Sequence, residues 1–369
     1  MIVGIPREIK KQESRVGMVP LGARQLARRG VEVLVESGAG LGSDYLDEEF
    51  VAAGAELVAS ATEVFARADL IVKVKEPQPA EVAMLREGQM LFTYLHLAAD
   101  KKLTETLLAS GVTGIAYETV QVGNRLPLLE PMSEVAGRMS VMVGAYFLAK
   151  HEGGRGTLLG GVPGVLPGRV TIIGGGTSGV NAAKVATGIG AETTILELDS
   201  QRMTWLDTAM PHARTLYSSE GALMELLPRT DLLIGAVLVP GAKAPKLVTR
   251  DMLRSMRQGT VLVDIAVDQG GCVETTRPTT HESPVFEEEG VIHYCVANMP
   301  GAYARTSTQA LTNVTLPYIQ LLATQGLQQA CQQRPELVGG INCLAGKLTS
   351  KEVGEAHGLE TVLTGMELS

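Results

Sequence analysis

The sequence predicts an α/β protein: a parallel, doubly wound sheet with helices on both faces, built twice. Three observations predict it. Short β-branched runs alternate with helix-like stretches as far as residue 300. A glycine-rich turn near the middle lies between a strand and a helix of small residues. The chain has 369 residues. At ~100–200 residues per domain that is two domains, or three, each with room for a core.

The elements come in order. IVGI (2–5), VEVLVE (31–36), LIVKV (70–74), MLFTYL (90–95) and VTGIAYE (112–118) are strand candidates, short and β-branched. Between them, 20–30, 46–54, 80–87 and 100–110 read as helices. The stretch 131–151, PMSEVAGRMSVMVGAYFLAKH, is helical and apolar on more than one face, so a buried connector between domains is expected. The Gly- and Pro-rich loop at 153–168 is too long for a plain turn and is expected to cover something. A second series then supplies RVTII (169–173), TTILE (193–197), TLYS (215–218), DLLIGAVL (231–238), GTVLVDI (259–265) and VIHYCV (291–296). After 305 the chain turns helical again, and Pro317 is expected to kink that helix.

Composition narrows the function classes. Hydrophobic residues make up 45% and charged residues 20%, the balance of a globular protein rather than a disordered one. The net charge of −8 argues against a nucleic-acid binder, which needs a basic surface. Cys272, Cys295, Cys331 and Cys343 form no C-x-x-C pair, so neither a zinc site nor a disulfide framework is implied. Free thiols fit a reducing cytoplasm. The N-terminal segment lacks the apolar stretch of a signal peptide. The longest apolar runs, such as LLIGAVLV (232–239), fall short of the ~20 residues that span a membrane. A cytoplasmic protein without a membrane or nucleic-acid partner is expected.

The most specific stretch is VTIIGGGTSGVNAAKVATGIGAETTILE (170–197). Gly174, Gly176 and Gly179 match G-x-G-x-x-G between a strand and a helix, and Glu197 ends the next strand 23 positions after Gly174. Together these form the dinucleotide-binding fingerprint. Gly174 permits the tight turn, Gly176 lets a pyrophosphate approach the backbone, and Gly179 brings helix and strand together. The helix N-terminus offers N–H groups and positive dipole to phosphate. Glu197 suits the adenosine ribose hydroxyls, and its charge repels a 2′-phosphate, so NAD is favoured over NADP. Arg202, five residues on, is placed to soften that repulsion.

In the first series, Arg15, Lys75 and His96 lie at the C-terminal ends of candidate strands or in the loops after them. That edge is where open α/β sheets bind ligands. An Arg and a Lys suit a small carboxylate, one by bidentate hydrogen bonds and one as a point charge. A His nearby is an acid/base candidate at neutral pH. Each has a plainer role open to it: Arg15 in a solvated basic loop, Lys75 paired with Glu76, His96 capping the next helix. In the second series, DIAVDQGG (264–271) puts two carboxylates, Asp264 and Asp268, at the end of a buried strand, where they are costly without a purpose. The residues alone do not say which of the two carries chemistry.

PREIKKQESRVGMVP, KVKEPQP, TYLHLAAD, PLLEPMSEVAGRMS, IGGGTSGVNAA, LVDIAVDQGGCVETTRPTTH and VANMPGAYARTSTQALTN together resemble the NAD-dependent L-alanine dehydrogenase family, from residue 1 to about 355. The resemblance implies two Rossmann-type domains with an interdomain active-site cleft. A discontinuous substrate domain (1–128 and 305–369) would enclose an NAD-binding domain (129–304). It implies reversible oxidative deamination: L-alanine, NAD⁺ and water give pyruvate, ammonium and NADH. Arg15 and Lys75 would hold the substrate carboxylate. His96 would hydrogen-bond the carbonyl oxygen as general acid/base, and Asp268 would assist the amine and the attacking water. NAD would be held at Ser133, Gly174, Gly176, Thr177, Ser178, Gly179, Glu197, Arg202, Ser219, Val237 and Leu238. Further NAD contacts would come from Ile265, Ala266, Val267, Asp268, Arg277, Val296, Ala297, Asn298 and Met299. A homo-hexamer is implied. Some relatives have a proposed magnesium site in the helix after 310; Leu321 and Gln325 stand where its ligands would be, so no metal is expected. Two neighbours stay open, the proton-translocating transhydrogenase α subunit of the same superfamily and a dehydrogenase for a related amino acid.

Overall fold

The computed structural model describes residues 1–237 and 244–362. The chain divides into two units, Met1–Met132 with Gly301–Ser369, and Ser133–Pro300. The front of the first unit runs β1 (Ile2–Ile5), α1 (Pro20–Ala27), β2 (Glu32–Glu36), α2 (Asp47–Ala52), β3 (Glu56–Val58) and α3 (Ala61–Arg67). It continues with β4 (Leu70–Val72), α4 (Pro79–Val82), β5 (Met90–Thr93), α5 (Lys101–Ser110) and β6 (Thr113–Ala116). Helix α6 (Glu130–Phe147) carries the chain across the division. The second unit runs β7 (Arg169–Ile173), α7 (Thr177–Gly188), β8 (Glu192–Glu197), α8 (Ser200–Ala209), β9 (Ala213–Tyr217) and α9 (Glu220–Leu226). Then come β10 (Leu232–Gly235), α10 (Arg250–Arg254), β11 (Thr260–Asp264), β12 (Val285–Glu288) and β13 (Val291–Tyr294). The tail returns to the first unit with α11 (Ala304–Gln333), α12 (Glu336–Gly340), β14 (Ile341–Leu344), β15 (Lys347–Leu348) and α13 (Lys351–His357).

Each unit has one sheet. The first orders its strands β15-β14-β6-β5-β4-β1-β2-β3, and the second β12-β13-β11-β10-β7-β8-β9. In each, the six parallel strands adopt the doubly wound order 3-2-1-4-5-6. Antiparallel strands extend one edge: β14 and β15 in the first unit, β12 in the second. Alternate residues bury on opposite faces. Val3, Val33, Val35 and Phe92 pack into one core of the first sheet, and Leu34, Ile71 and Leu91 into another. The second sheet does the same, with Val170, Ile172 and Ile234 on one side and Ile173, Leu196 and Leu233 on the other. Burial on both faces is why these strands are unbroken apolar runs.

Four expectations are corrected. First, β3 and α3 are absent from the pattern reading, because ELV is too short to show an alternation; α3 begins where Ser60 caps Glu63 N–H. Second, the strand drawn over 231–238 ends at Gly235, and Leu238 lies outside the described residues. Third, α6 is not buried all round: Met142 and Tyr146, one turn apart, are exposed. Fourth, backbone angles in α11 stay helical through Pro317, and the break falls at Gly326, whose φ of 76° lies in the left-handed region. In the loop at 153–168, Val162 and Val165 bridge each other, and Leu158 and Leu166 lie exposed.

Candidate active site

In the first sheet β1 and β4 are neighbours, and the chain leaves in opposite directions from them; this is the topological switch point. The segment after β1 runs from 6 to 19 before α1 begins, and it carries Arg15. Arg15 is buried. Its Nε and Nη2 donate to the two carboxylate oxygens of Glu13 at 2.7 and 2.5 Å, and its backbone N–H donates to the same group at 3.0 Å. Its Nη1 meets the Met132 sulfur at 3.0 Å. Burial pushes the Glu13 carboxyl up, but the Arg15 hydrogen bonds and charge outweigh it and hold the group down at about 2. The solvated-loop alternative for Arg15 is therefore excluded.

Lys75 lies just beyond β4. Its ammonium makes no hydrogen bond among the described residues. Burial, then the charges of Arg15 and Lys10, push its pKa below the ordinary lysine value, against the pull of Glu76 and Glu13. The Lys75–Glu76 surface pair is not formed: Glu76 binds Lys10 instead, and its second oxygen is buried without a partner. The lysine inside the apolar run LIVKV is Lys73, fully buried between Glu8 at 3.0 Å and Glu81 at 2.6 Å. Glu8 also accepts the N–H of Val74 at 2.6 Å and of Lys75 at 3.4 Å, so it splints the backbone that presents Lys75.

His96 comes after β5 and is exposed. Its backbone is left-handed (φ 51°, ψ 32°), a conformation that a Cβ-bearing residue takes only when held. Glu118 holds it, accepting the His96 N–H at 2.6 Å and the Leu95 N–H at 3.0 Å. The imidazole stacks on Tyr94 with ring centres 5.9 Å apart. No side-chain cap is formed, so the plain capping role falls away. His96 lies near enough to influence Glu76, and Arg15 to influence Lys75; the three residues expected at this edge share one electrostatic neighbourhood. Glu8, Glu13, Lys73 and Glu118 were missed. The signal for the first two was present, as acids interleaved with the bases of REIKKQESR.

In the second unit each glycine of the fingerprint has a distinct physical cause. Gly174 has φ +100°, and a Cβ there would meet the Ala236 carbonyl at 2.7 Å. A Cβ on Gly179 would lie 1.8 Å from the Gly174 carbonyl oxygen, so only glycine lets α7 close on the turn. A Cβ on Gly176 would meet nothing within 4 Å: this glycine faces open space at the N-terminus of α7. Thr177 and Ser178 form the first turn, where Ser178 Oγ donates to the Ser133 carbonyl at 3.0 Å. Glu197 accepts three backbone N–H groups, from Gly175 at 2.9 Å, Leu198 at 2.6 Å and Asp199 at 3.1 Å. Arg202 makes no ion pair with it among the described residues. The Arg202 Nε donates to the Gly175 carbonyl at 2.7 Å, and its guanidinium lies over the Trp205 ring at 4.1 Å.

The run DIAVDQGG separates its two aspartates. Asp264 is fully buried; its oxygens accept Ala266 N–H at 3.0 Å and Cys272 N–H at 2.9 Å. Burial pushes its carboxyl up, against the pull of the Thr276 hydroxyl and these N–H groups. It thereby shapes the 3₁₀ turn Ile265–Gln269, in which Ala266 and Val267 are buried and Asp268 is exposed. The Asp268 carboxylate has no hydrogen bond among the described residues. Gly270 and Gly271 both have positive φ; a Cβ on Gly271 would strike the Thr276 hydroxyl at 2.2 Å and the Asp264 carboxylate at 2.6 Å, whereas one on Gly270 would meet nothing within 4 Å. Ser219 caps α9 through Ala222 N–H at 3.2 Å, and Arg277 lies over the Phe286 ring at 4.1 Å. Val296 and Met299 are buried, Ala297 is half-buried, and Asn298 is left-handed at φ 61°. Val237 is half-buried beside Gly174. Among the described residues no group of three or more His, Cys, Asp and Glu is arranged to hold a metal ion. No helix among them is long and apolar enough to cross a membrane.

Two family models match, "Alanine dehydrogenase/PNT, N-terminal domain" over 4–136 and "Alanine dehydrogenase/PNT, C-terminal domain" over 140–351. A curated alanine dehydrogenase of Methanococcus maripaludis is 54% identical over 97% of either chain. One from Halomonas elongata is 55% identical over 98% of either chain. A solved L-alanine dehydrogenase superposes with a TM-score of 0.93 at 48% identity, covering 100% of both chains. A transhydrogenase of Sinorhizobium meliloti shares the fold, with a TM-score of 0.82 at 24% identity over 95% of this chain and 100% of its own. The chain belongs to the alanine dehydrogenase/PNT family.

Proposed function

We propose that the chain catalyses the reversible, NAD-dependent oxidative deamination of L-alanine to pyruvate and ammonium, as a cytoplasmic homo-hexamer. The first unit is the substrate domain and the second the NAD domain. The observation that carries the reading is the trio at one edge of the first sheet: buried Arg15, Lys75 with its lowered pKa, and His96 held in a left-handed turn. A guanidinium and an ammonium side by side fit a small carboxylate, and an imidazole beside them fits the oxygen of an adjoining carbonyl. The names of the relatives supply alanine.

The second unit fits a dinucleotide. Gly176 leaves open space at a helix N-terminus, where a pyrophosphate needs it, and the charge of Glu197, in no ion pair among the described residues, favours NAD over NADP. Ser133, Gly174, Gly176, Thr177, Ser178, Gly179, Arg202 and Ser219 would hold its adenosine and phosphates. The segments around Val237, Ile265–Asp268, Arg277 and Val296–Met299 would hold the rest. Bound NAD supplies the hydride acceptor. The chain's own groups do the remainder. Arg15 and Lys75 fix the carboxylate and so orient Cα. His96 donates a hydrogen bond to the carbonyl oxygen and passes the proton of the carbinolamine hydroxyl. Asp268 stabilises the cationic imine and orients the water that adds to it.

The test is NAD⁺ reduction against a panel of L-amino acids, with NADP⁺ in parallel and ammonia-dependent pyruvate reduction as the reverse. L-Alanine with NAD⁺ is expected to be the best pair. Absence of alanine-dependent NADH formation overturns the reading, and a better rate with another amino acid moves it to that substrate.

A further inference from the structure

The segment between β1 and α1 carries a carboxylate that the proposed reaction does not use. Glu13 and Arg15 are two residues apart, and their side chains are 0% and 2% exposed. One carboxylate takes both the Nε and the Nη2 edge of the guanidinium and the backbone N–H of the same arginine. Such a pair has two readings. Glu13 is either a stand-in that a substrate carboxylate displaces, or a fixed partner. Displacement would break three charge-assisted hydrogen bonds to a buried carboxylate and set a second negative charge beside it, which is costly; fixed pairing has no such penalty.

We propose that Glu13 is a positioning residue: it fixes the plane of the Arg15 guanidinium and stands as the shared counter-charge of Arg15 and Lys75 while the substrate carboxylate is bound. The proposal rests on the proposed function, in which these two cations receive that carboxylate. Charge balance favours it. Glu13 is in direct contact with the Arg15 guanidinium, and Lys75 acts on its carboxyl as well, so one carboxylate serves both cations. The charged groups that act on Lys75 are Arg15, Lys10, Glu76 and Glu13, and Glu8 accepts its backbone N–H. Arg15 and Lys10 lower its proton affinity, while Glu76 and Glu13 raise it. Without Glu13, Lys75 gives up its proton at a lower pH, and pyruvate binding fails earlier on the alkaline side.

The experiment uses the full-length enzyme with Glu13→Gln and Glu13→Asp. Pyruvate KM and kcat are measured across pH, and NADH affinity is measured alongside. In Glu13→Gln the pyruvate KM is expected to rise about tenfold, with kcat and NADH affinity kept within about twofold. The alkaline limb of kcat/KM for pyruvate is expected to move down by about half a pH unit or more. Glu13→Asp keeps the charge, so it is expected to keep the limb in place and recover part of the KM. Unchanged KM and limb in Glu13→Gln overturn the proposal. So does a loss of NADH affinity in step with KM, which marks general damage. If Glu13→Gln does not fold, Glu13→Asp decides: a raised KM with an unmoved limb supports the proposal, and wild-type KM overturns it. A wild-type enzyme without ammonia-dependent pyruvate reduction overturns the functional reading, and the proposal with it; failure of the variants alone leaves that reading standing.

Discussion

The two units share one strand order and differ in the connection that leaves their first strand. After β7 the chain turns through Gly174–Gly176 directly into α7. After β1 it wanders from 6 to 19 before α1. The short turn brings a helix N-terminus to the sheet edge, and its chemistry is backbone: N–H groups, a dipole and room for phosphate. The long segment does the opposite. It fills the same topological place with side chains, Glu8, Lys10, Glu13 and Arg15, paired with one another and with residues at the end of β4. A doubly wound sheet therefore does not dictate its ligand. The length and composition of one connection decide whether the switch point offers main-chain donors or fixed charges.

Asp268 is the sharpest way to break that contrast, because it is an acid/base candidate on the backbone-chemistry side. Asp268→Asn is expected to lower kcat by about 100-fold or more while NADH affinity is kept, measured by steady-state rates and direct NADH titration. Wild-type turnover in that variant would leave the second unit as a cofactor cradle alone. The next effect sharpens the charge side. The folded Glu13 carboxyl titrates at about 2, below its ordinary value of 4.5. A depressed carboxylate gives stability that is present above the ordinary value and is lost as pH falls towards 2. The loss amounts to about 3 kcal/mol as an order of magnitude. Denaturant unfolding between pH 5 and pH 2 is expected to show that this share of the acid sensitivity disappears in Glu13→Gln; an identical pH slope in the two proteins would contradict it. The smallest effect concerns the glycine turn. Glu197→Gln keeps one acceptor oxygen, enough for the Leu198 and Asp199 N–H groups but not for that of Gly175 as well, and removes the charge. The NADP/NAD ratio of kcat/KM is expected to rise by about tenfold, and an unmoved ratio would take Glu197 away from the ribose.

The glycine loop was legible because each residue there answers a local demand: a positive φ, an open face, a contact too close for a Cβ. The parallel strands were legible because burial on both faces writes continuous apolar runs. The charged network was legible only in part. Arg15, Lys75 and His96 sit where strand ends predict, but nothing in LIVKV says that Lys73 is the buried cation held between two acids and Lys75 the one whose ammonium makes no hydrogen bond among the described residues, since both are lysines two apart. That distinction depends on Glu8 and Glu81 arriving from elsewhere in the chain. The polar edge strand β12 and the three-residue β3 were missed for a different reason: their pairing comes from neighbours, not from their own periodicity. Gly326 rather than Pro317 breaks α11 because a proline leaves φ near its helical value, whereas a left-handed glycine reverses it.

The guanidinium of Arg202 lying on Trp205 has a consequence for anyone who watches this protein with light. Trp205 is the only tryptophan in the chain, so all indole emission comes from one side chain. That side chain is 47% exposed and leans on an arginine tied to the glycine turn. If a dinucleotide settles on the turn as proposed, it is expected to change the surroundings of the sole emitter, so titration with NAD⁺ while indole emission is followed would gauge occupancy at the adenosine end with no label attached.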